Sequence, residues 1–446
     1  MQIFPSLPLQ SIKRIIHALI FSKHKSRLIV KIHSPMIVLA SLVFSLSVFA
    51  ENQSPKPNAS CDTACIKKIQ TIIDNYRIKN HISGLQATLS FTNQPMQVFS
   101  SGSKTIDGKN PVDANTRFEI GSTTKSFTAS IVLQLVKEGK INLEDTVGKW
   151  LGDEYPAWED NTVNDLLNMT SNTFDYFDND SGIFEKIYWQ NPTHIWTTKE
   201  LNDLCYKNGP NCTRNNPKIH TPFCAEKPGQ GWSYSNTNYI LLERIVEKAS
   251  GTSFTKLMQQ RILAPLELNA AIYDPEKNPA TIKDFAHAYH YNKDTKTTED
   301  VTDFSLSAAR AAGAIIATTE DLAKWVRALF SGKVLAPREF QRMTNVVCTQ
   351  STTDCQAGEL APKLGKSTGY SCGLMRVPAF TPNASANDFV WVHTGGSAGH
   401  GSIFIYDVKN NFVLTAMQNQ IGTGDFGPLV KEIDLALFPE EKTTNQ

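Results

Sequence analysis

The chain has 446 residues, 41% of them hydrophobic and 20% charged, which excludes a disordered, collagenous or multi-span membrane protein and leaves material for a large core. The net charge of +1 hides an asymmetry: residues 1–50 carry Lys13, Arg14, Lys23, Lys25, Arg27 and Lys31 and no acid, so everything from Glu51 onward is net acidic. That portion has no basic stripe of the kind a phosphate backbone requires, which removes nucleic acid as a partner.

Residues 36–50 form an uncharged apolar run behind the basic segment and end in Val48, Phe49 and Ala50, where a signal peptidase would read small or slim side chains. The run is short of the ~20 apolar residues a membrane span needs. It predicts export with cleavage near Ala50, leaving no stable membrane span; a membrane anchor is the alternative. No Cys stands at the junction to take a lipid, and Met36 is an alternative start to Met1.

Residues 51–60 read as a polar, Pro-bearing linker. Ile66, Ile69, Ile72, Ile73 and Tyr76 then recur at helical spacing and predict an amphipathic helix over 63–80. Segments 84–92 and 96–101 read as paired strands, and 126–136 as an apolar helix closed by Glu138 and Gly139. From about 143 to 300, helical patterns mix with polar loops. The end returns to strands over 399–406 and 411–417, turned at 407–410, and closes with a helix over 429–437. No internal repeat is visible. Strands at both ends predict an α/β chain of the α+β kind: a leader over 1–50, a discontinuous sheet domain over 61–142 and 301–446, and an inserted helical domain over 143–300 with a Cys-rich insert.

All eight cysteines follow the leader. An even count in an exported chain predicts disulfides, with Cys205, Cys212 and Cys224 crowded in the insert and Cys348 and Cys355 flanking a short loop; the spacing leaves the pairing open. Zinc is the competing reading, but no C-x2-C or H-E-x-x-H spacing occurs, and His287 and His290 lack a third ligand nearby in sequence. Neither a metal nor another cofactor is expected.

Residues 118–129 read FEIGSTTKSFTA, in which Ser122 follows a strand-like segment and a Gly, then opens an apolar helix. Lys125 comes three residues later, on the same helical face. A serine hydroxyl needs a base to become a nucleophile, and a lysine serves when desolvation lowers its pKa. The S-x-x-K pattern alone is weak, because Ser22 with Lys25, Ser101 with Lys104 and Ser253 with Lys256 share it in a leader, a polar turn and a capped helix start. Two further elements accompany Ser122: Tyr234 and Asn236 as Y-x-N before an apolar helix over 240–249, and WVHTGG over 391–396 between strand-like residues. A second Y-x-N, Tyr206 with Asn208, sits in the Cys-rich insert.

Together these elements resemble the serine beta-lactamase and penicillin-recognising hydrolases, in the branch of class C beta-lactamases, D-alanyl-D-alanine carboxypeptidases and related esterases. The resemblance covers most of 60–440, including Ala311 to Gly313 before a helix over 318–330. It implies a beta-lactamase/transpeptidase-like fold, an antiparallel sheet flanked by helices with the active site between sheet and inserted domain. It makes Ser122 the acylated nucleophile, Lys125 its proton acceptor and Tyr234 the proton shuttle to the leaving group. Asn236 would bind the substrate amide, His393 and Thr394 would face the substrate carboxylate with Gly395 beside them, and the backbone N–H groups of Ser122 and Gly396 would form the oxyanion hole. Gly395 and Gly396 suit a strand edge that approaches substrate closely. The unperturbed histidine pKa of about 6.5 would place the charge change of His393 inside the working range.

Two departures from the family pattern matter. His393 stands where beta-lactamases of this branch usually carry Lys, and residues 166–172, LLNMTSN, put Met169 and Asn172 in place of the His and Gly of an L-L-x-H-T-S-G segment. These shift weight from an antibiotic-resistance enzyme to an exported carboxypeptidase acting on D-alanyl-D-alanine-type peptides, with peptidoglycan stem peptides or small esters as substrates and beta-lactams as ligands. Esterase or beta-lactamase activity on the same serine is the alternative within enzymes. A non-catalytic cell-wall-peptide binding module is the alternative outside them, and it would not need Ser122, Lys125 and Tyr234 together. GGSAG over 395–399 matches the nucleophile elbow of alpha/beta hydrolases with Ser397 at its centre, but that elbow should lead into a helix and be followed by its Asp and His, and no His lies beyond His400.

Overall fold

The polar residues of the first strand show how the molecule is layered. Strand β1 (Gly84–Ser90) is buried along its whole length. Leu85, Ala87 and Leu89 face one apolar cluster, while Gln86 and Thr88, on the opposite face, are matched hydroxyl to amide. Thr88 Oγ1 lies 2.7 Å from Thr319 Oγ1, which donates to Gln86 Oε1 at 2.7 Å. Both faces of the sheet are therefore covered.

The computed structural model describes residues 60–92, 94–177, 182–183, 185–208, 228–352, 355–361, 367–380, 385 and 388–439, all within the compact unit Pro55–Gln446. The leader and the expected cleavage near Ala50 lie outside them, as do Cys212 and Cys224. After β1 come β2 (Gln97–Gly102), β3 (Phe118–Glu119), β4 (Ile272–Tyr273), β5 (Tyr289–Asn292), β6 (Thr297–Asp300) and β7 (Ile315–Ala317). They are followed by β8 (Val347–Cys348), β9 (Gly369–Ser371), β10 (Leu374–Pro378), β11 (Phe389–Gly396), β12 (Gly401–Asp407), β13 (Phe412–Gln418) and β14 (Gln420–Ile421). The helices are α1 (Thr63–Lys79), α2 (Thr124–Lys137), α3 (Val147–Leu151), α4 (Val163–Asn168), α5 (Thr198–Asn208) and α6 (Thr237–Ser250). Then follow α7 (Phe254–Met258), α8 (Arg310–Gly313), α9 (Thr319–Phe330), α10 (Pro337–Met343) and α11 (Gly427–Leu437).

An eight-stranded sheet runs in the order β2-β1-β13-β12-β11-β10-β9-β8, each neighbouring pair antiparallel, so that strands from the two ends of the chain meet at β1 and β13. This is the mixed helix and antiparallel-sheet fold the sequence predicts. The expected terminal elements lie within about two residues of their observed bounds, as fraying ends allow. Ile69, Ile73 and Tyr76 of α1 and Leu429, Val430 and Ile433 of α11 cover one face of the sheet. Helices α2 and α9 lie in the larger cluster on the other face. They are joined by Phe127 stacked 3.8 Å from Trp325, whose indole N–H donates to Ser126 Oγ at 3.0 Å. Both rings are buried, and truncating either would cost about 3–5 kcal/mol.

Cys61 pairs with Cys65 and Cys348 with Cys355, the second bond closing the loop noted from sequence. Cys205 departs from the expectation of a bonded cluster: it is a buried free thiol, with Sγ 2.8 Å from the Phe174 carbonyl oxygen. Cys372 is also free. His287 and His290 are otherwise engaged, the first 3.0 Å from Asp300 and the second 3.2 Å from the Ala398 carbonyl oxygen. Among the described residues no helix is long and apolar enough to cross a membrane, and no cluster of three His, Cys, Asp or Glu could hold a metal ion.

Candidate active site

The turn that presents Ser122 starts in a small sheet of order β3-β7-β4, whose strand β3 delivers Phe118 and Glu119. Gly121 follows with φ +49, a backbone angle that a side chain would strain. Residues Gly121–Thr123 make a single 3-10 turn that runs into α2. Ser122 is half-buried there, and Lys125, in the first turn of α2, is wholly buried. The i, i+3 spacing delivers what it promises: Lys125 Nζ donates to Ser122 Oγ at 2.9 Å. Nζ also donates to Asn236 Oδ1 at 2.6 Å and to the Ala312 carbonyl of α8 at 2.8 Å. Burial pushes the amine from its ordinary value down to about 7, against the opposing charge of Asp175.

The Tyr234–Asn236 segment leads into α6. It rests on Met169, whose backbone oxygen accepts from Ser233 N at 3.0 Å and whose Sδ accepts from Ser235 N at 3.3 Å. Met169 and Asn172 both have left-handed backbone, φ +64 and +57, so these substitutions in the family pattern sit at the bends that shape the shelf beneath Tyr234. The Tyr234 ring lies 5.0 Å from Lys125 Nζ. Burial drives the phenol well above its ordinary value, opposed by its hydrogen bond with Ser122. It therefore stays protonated at neutral pH.

The third element is the end of β11. The β10 partner strand stops at Val392, and beyond it β11 pairs only with β12, which frees an edge beside the Ser122 turn. A Cβ on Gly395 would stand 1.9 Å from the Ile120 carbonyl oxygen and 2.5 Å from Ser402 Oγ, which itself donates to that oxygen at 2.7 Å. Gly395 is thus required by packing of the serine turn on the sheet, where the sequence suggested close approach of substrate. Gly396 has open space where a Cβ would stand. Thr394 is exposed and His393 is buried, as strand alternation demands.

His393 differs from the sequence expectation of a ring titrating in the working range. Its Nδ1 is 2.6 Å from the Thr394 carbonyl oxygen, an acceptor, so Nδ1 carries a proton. Nε2 is buried without a partner, and the ring lies 6.1 Å from Tyr370 and 6.5 Å from Tyr234. Burial, then the charge of Lys125, push its pKa down to about 3. The ring is neutral at neutral pH.

Of the competing serines, Ser397 and Ser101 make structural hydrogen bonds. Ser397 sits in the turn between β11 and β12, its Oγ accepting from His400 N at 2.9 Å, and no helix follows it. Ser101 binds Asp74 at 2.6 Å within β2, and Ser253 opens α7 without a side-chain cap bond. Tyr206 packs edge-on to Trp158 at 4.9 Å. The sequence reading missed Asp175 and the Ala312 carbonyl. Asp175 Oδ1 accepts from the Asn236 backbone N–H at 3.0 Å, and both its carboxylate oxygens accept from Asn236 Nδ2 at 3.1 Å. It sits in a loop with no periodic pattern, so no sequence signal marked it.

A hydroxyl beside a buried amine, with a protonated phenol near both, is an arrangement suited to acyl transfer. Comparison with known proteins identifies the relatives of the chain. The chain is 24% identical over 362 residues to penicillin-binding protein 4* of Bacillus subtilis (strain 168), covering 79% of this chain and 72% of that protein. Its structure superposes on a D-stereospecific amidohydrolase from Streptomyces sp. with a TM-score of 0.66 and 26% identity, over 84% of this chain and 98% of the other. The D-amino acid amidase of Ochrobactrum anthropi SV3 shares the fold, with a TM-score of 0.68 and 22% identity over 84% of this chain and 99% of the other. The beta-lactamase family model matches residues 69–437, and the chain belongs to that family of serine beta-lactamase-fold hydrolases.

Proposed function

We propose that this protein is an exported serine hydrolase that works through an acyl-enzyme on Ser122, cleaving D-alanyl-D-alanine-type peptides as a carboxypeptidase. The observation that carries the reading is the wholly buried Lys125 amine 2.9 Å from Ser122 Oγ. Lys125 takes the hydroxyl proton as Oγ bonds to the acyl carbon. The oxyanion develops between the N–H groups of Ser122 and Gly396, each such donor being worth ~3 kcal/mol. Tyr234 passes a proton to the departing amine, and water then releases the acyl group. Export is supported by the leader and by two disulfides, which persist in oxidising compartments.

A second reading is an amidase or esterase whose donors lack a leaving-group carboxylate, and the neutral, buried His393 favours it. Intact-mass analysis after incubation with a beta-lactam, a peptide ending in D-alanyl-D-alanine, a D-amino acid amide and a p-nitrophenyl ester separates the two by which donors leave an adduct or a product. In Ser122→Ala, labelling by a fluorophosphonate should vanish while the fold remains. Undiminished labelling, or labelling at Ser397, would reject the assignment.

A further inference from the structure

Asp175 belongs to no motif, yet its polar contacts converge on the base. Its Oδ1 accepts from the backbone N–H of Phe177 at 3.1 Å and of Asn236 at 3.0 Å, and its two oxygens share Asn236 Nδ2 at 3.1 Å each. All of these partners are donors and, with the Lys125 charge, favour the ionised carboxylate, against burial, which pushes the carboxyl above its ordinary value. The arrangement settles which way the Asn236 amide points: Nδ2 to Asp175 and Oδ1 to Lys125 Nζ at 2.6 Å. An amide turned the other way would present N–H groups to an amine that itself donates to Ser122 and to the Ala312 carbonyl.

We propose that Asp175 is a positioning residue for acylation, holding the Asn236 amide so that its carbonyl oxygen aims Lys125 at Ser122. The proposal rests on the reading of Ser122 as nucleophile and Lys125 as its base. The carboxylate also acts on the amine by charge. Burial alone drives Lys125 down, and Asp175 opposes that shift. The other titratable groups about Lys125 add no charge at neutral pH: Tyr234 and Tyr239, whose rings lie 5.0 and 5.4 Å from Nζ, are held protonated by burial, and His393 is held neutral. Cys205, which also feels Asp175, is a buried thiol kept protonated in the same way. Removing the negative charge therefore shifts the titration of Lys125 further toward acid.

The test is the pH profile of acylation by a fluorophosphonate in Asp175→Asn and Asp175→Glu, normalised to folded protein. Asp175→Asn should acylate about tenfold or more slowly on the plateau, a part of what a positioned base contributes. Its acid limb should move about one unit toward lower pH, as loss of a nearby opposite charge requires. Asp175→Glu keeps the charge and should keep the limb near its wild-type position. A limb that stays in place in Asp175→Asn would overturn the proposal, because a merely structural loss lowers the rate without moving the profile. If Asp175→Asn melts below the assay temperature, the carboxyl 13C resonance of Asp175 in the wild-type protein decides. An inflection at the acid limb supports the coupling, and a flat resonance through that pH overturns it. Labelling that survives in Ser122→Ala would instead reject the nucleophile, so the two failures are distinguishable.

Discussion

The backbone of Gly121 lies against that of Gly396 so closely that a Cβ on Gly121 would stand 2.6 Å from the Gly396 nitrogen. This contact sets the distance between the Ser122 turn and the end of β11, and hence between the two proposed oxyanion donors. Gly121→Ala introduces both a clash and a side chain at φ +49, so it should lose about 1–3 kcal/mol of stability and about a hundredfold or more in acylation. Gly396→Ala meets nothing within 4 Å and should fold normally. Melting curves and acylation rates for the two variants check the contrast, and equal damage from both would show that the Gly121 contact does not set the site.

Lys125 acts as a base only when its amine is neutral, and burial places that change at about pH 7. Acylation should therefore rise with pH through about 7 and then level, the sign expected for a base whose folded pKa is depressed. Lys125→Met keeps length and apolar volume but removes the amine, and should slow acylation by a factor on the order of 100 to 10,000. Stopped-flow rates from acid to mildly alkaline pH measure both effects. Near-normal rates in Lys125→Met would assign the base to Tyr234 or another group.

An ion pair anchors the helix whose carbonyl Lys125 uses. Glu243, buried in α6, accepts from Arg310 Nε at 2.9 Å and from the Ala311 backbone N–H at 3.0 Å. Arg310 itself sits at φ +37, so α8 depends on this anchor to keep the Ala312 oxygen beside Lys125. Glu243→Ala leaves Arg310 short of its buried partner and should cost about 3–5 kcal/mol. The folded remainder should also acylate more slowly than wild type, because Lys125 loses part of its alignment. Active-site titration against thermal melting separates the two losses.

The legible part of the site was the part carried by local spacing. Ser122 and Lys125 meet because three residues on a helix start place them on one face, and this holds wherever the helix packs. Tyr234 and Asn236 were marked by the helix that follows them, and the strand ending at Gly396 by its apolar flanks. The state of His393 was not legible, because it depends on burial and on the charge of Lys125, which comes from a distant segment. Asp175 was missed for the same reason: a loop residue gains its role from the Asn236 amide that folding brings to it, 61 positions away in sequence. Gly395 was marked, but its packing constraint was not legible, since the Ile120 carbonyl that excludes a side chain there comes from a distant segment of the chain.

The neutral state of His393 yields the prediction that bears most on substrate. A ring held down to about 3 stays uncharged from pH 5 to 8.5, a range lying wholly above that value. Acylation rates for a carboxylate-bearing donor and for a neutral ester should then follow parallel pH profiles, both set by Lys125. This reverses the divergence an ordinary histidine pKa of about 6.5 would give. His393→Lys would introduce a cation beside Lys125, lowering the Lys125 pKa further by like-charge repulsion and moving the acid limb of both profiles toward lower pH. It should also raise reactivity toward beta-lactams, whose carboxylate the new ammonium can face. The burial of a neutral ring has a stability counterpart with a definite sign. Because the folded pKa lies below the unfolded one, the stability His393 contributes is full above about pH 6.5 and falls as pH drops toward about 3, by at most about 1.4 kcal/mol per pH unit. Second-order rates for the two donors across pH 5 to 8.5, with denaturant midpoints over the acid range, measure both consequences. Profiles that diverge with an inflection near the ordinary histidine pKa would show that a bound carboxylate draws a proton onto the ring, and would return the balance to the carboxypeptidase reading.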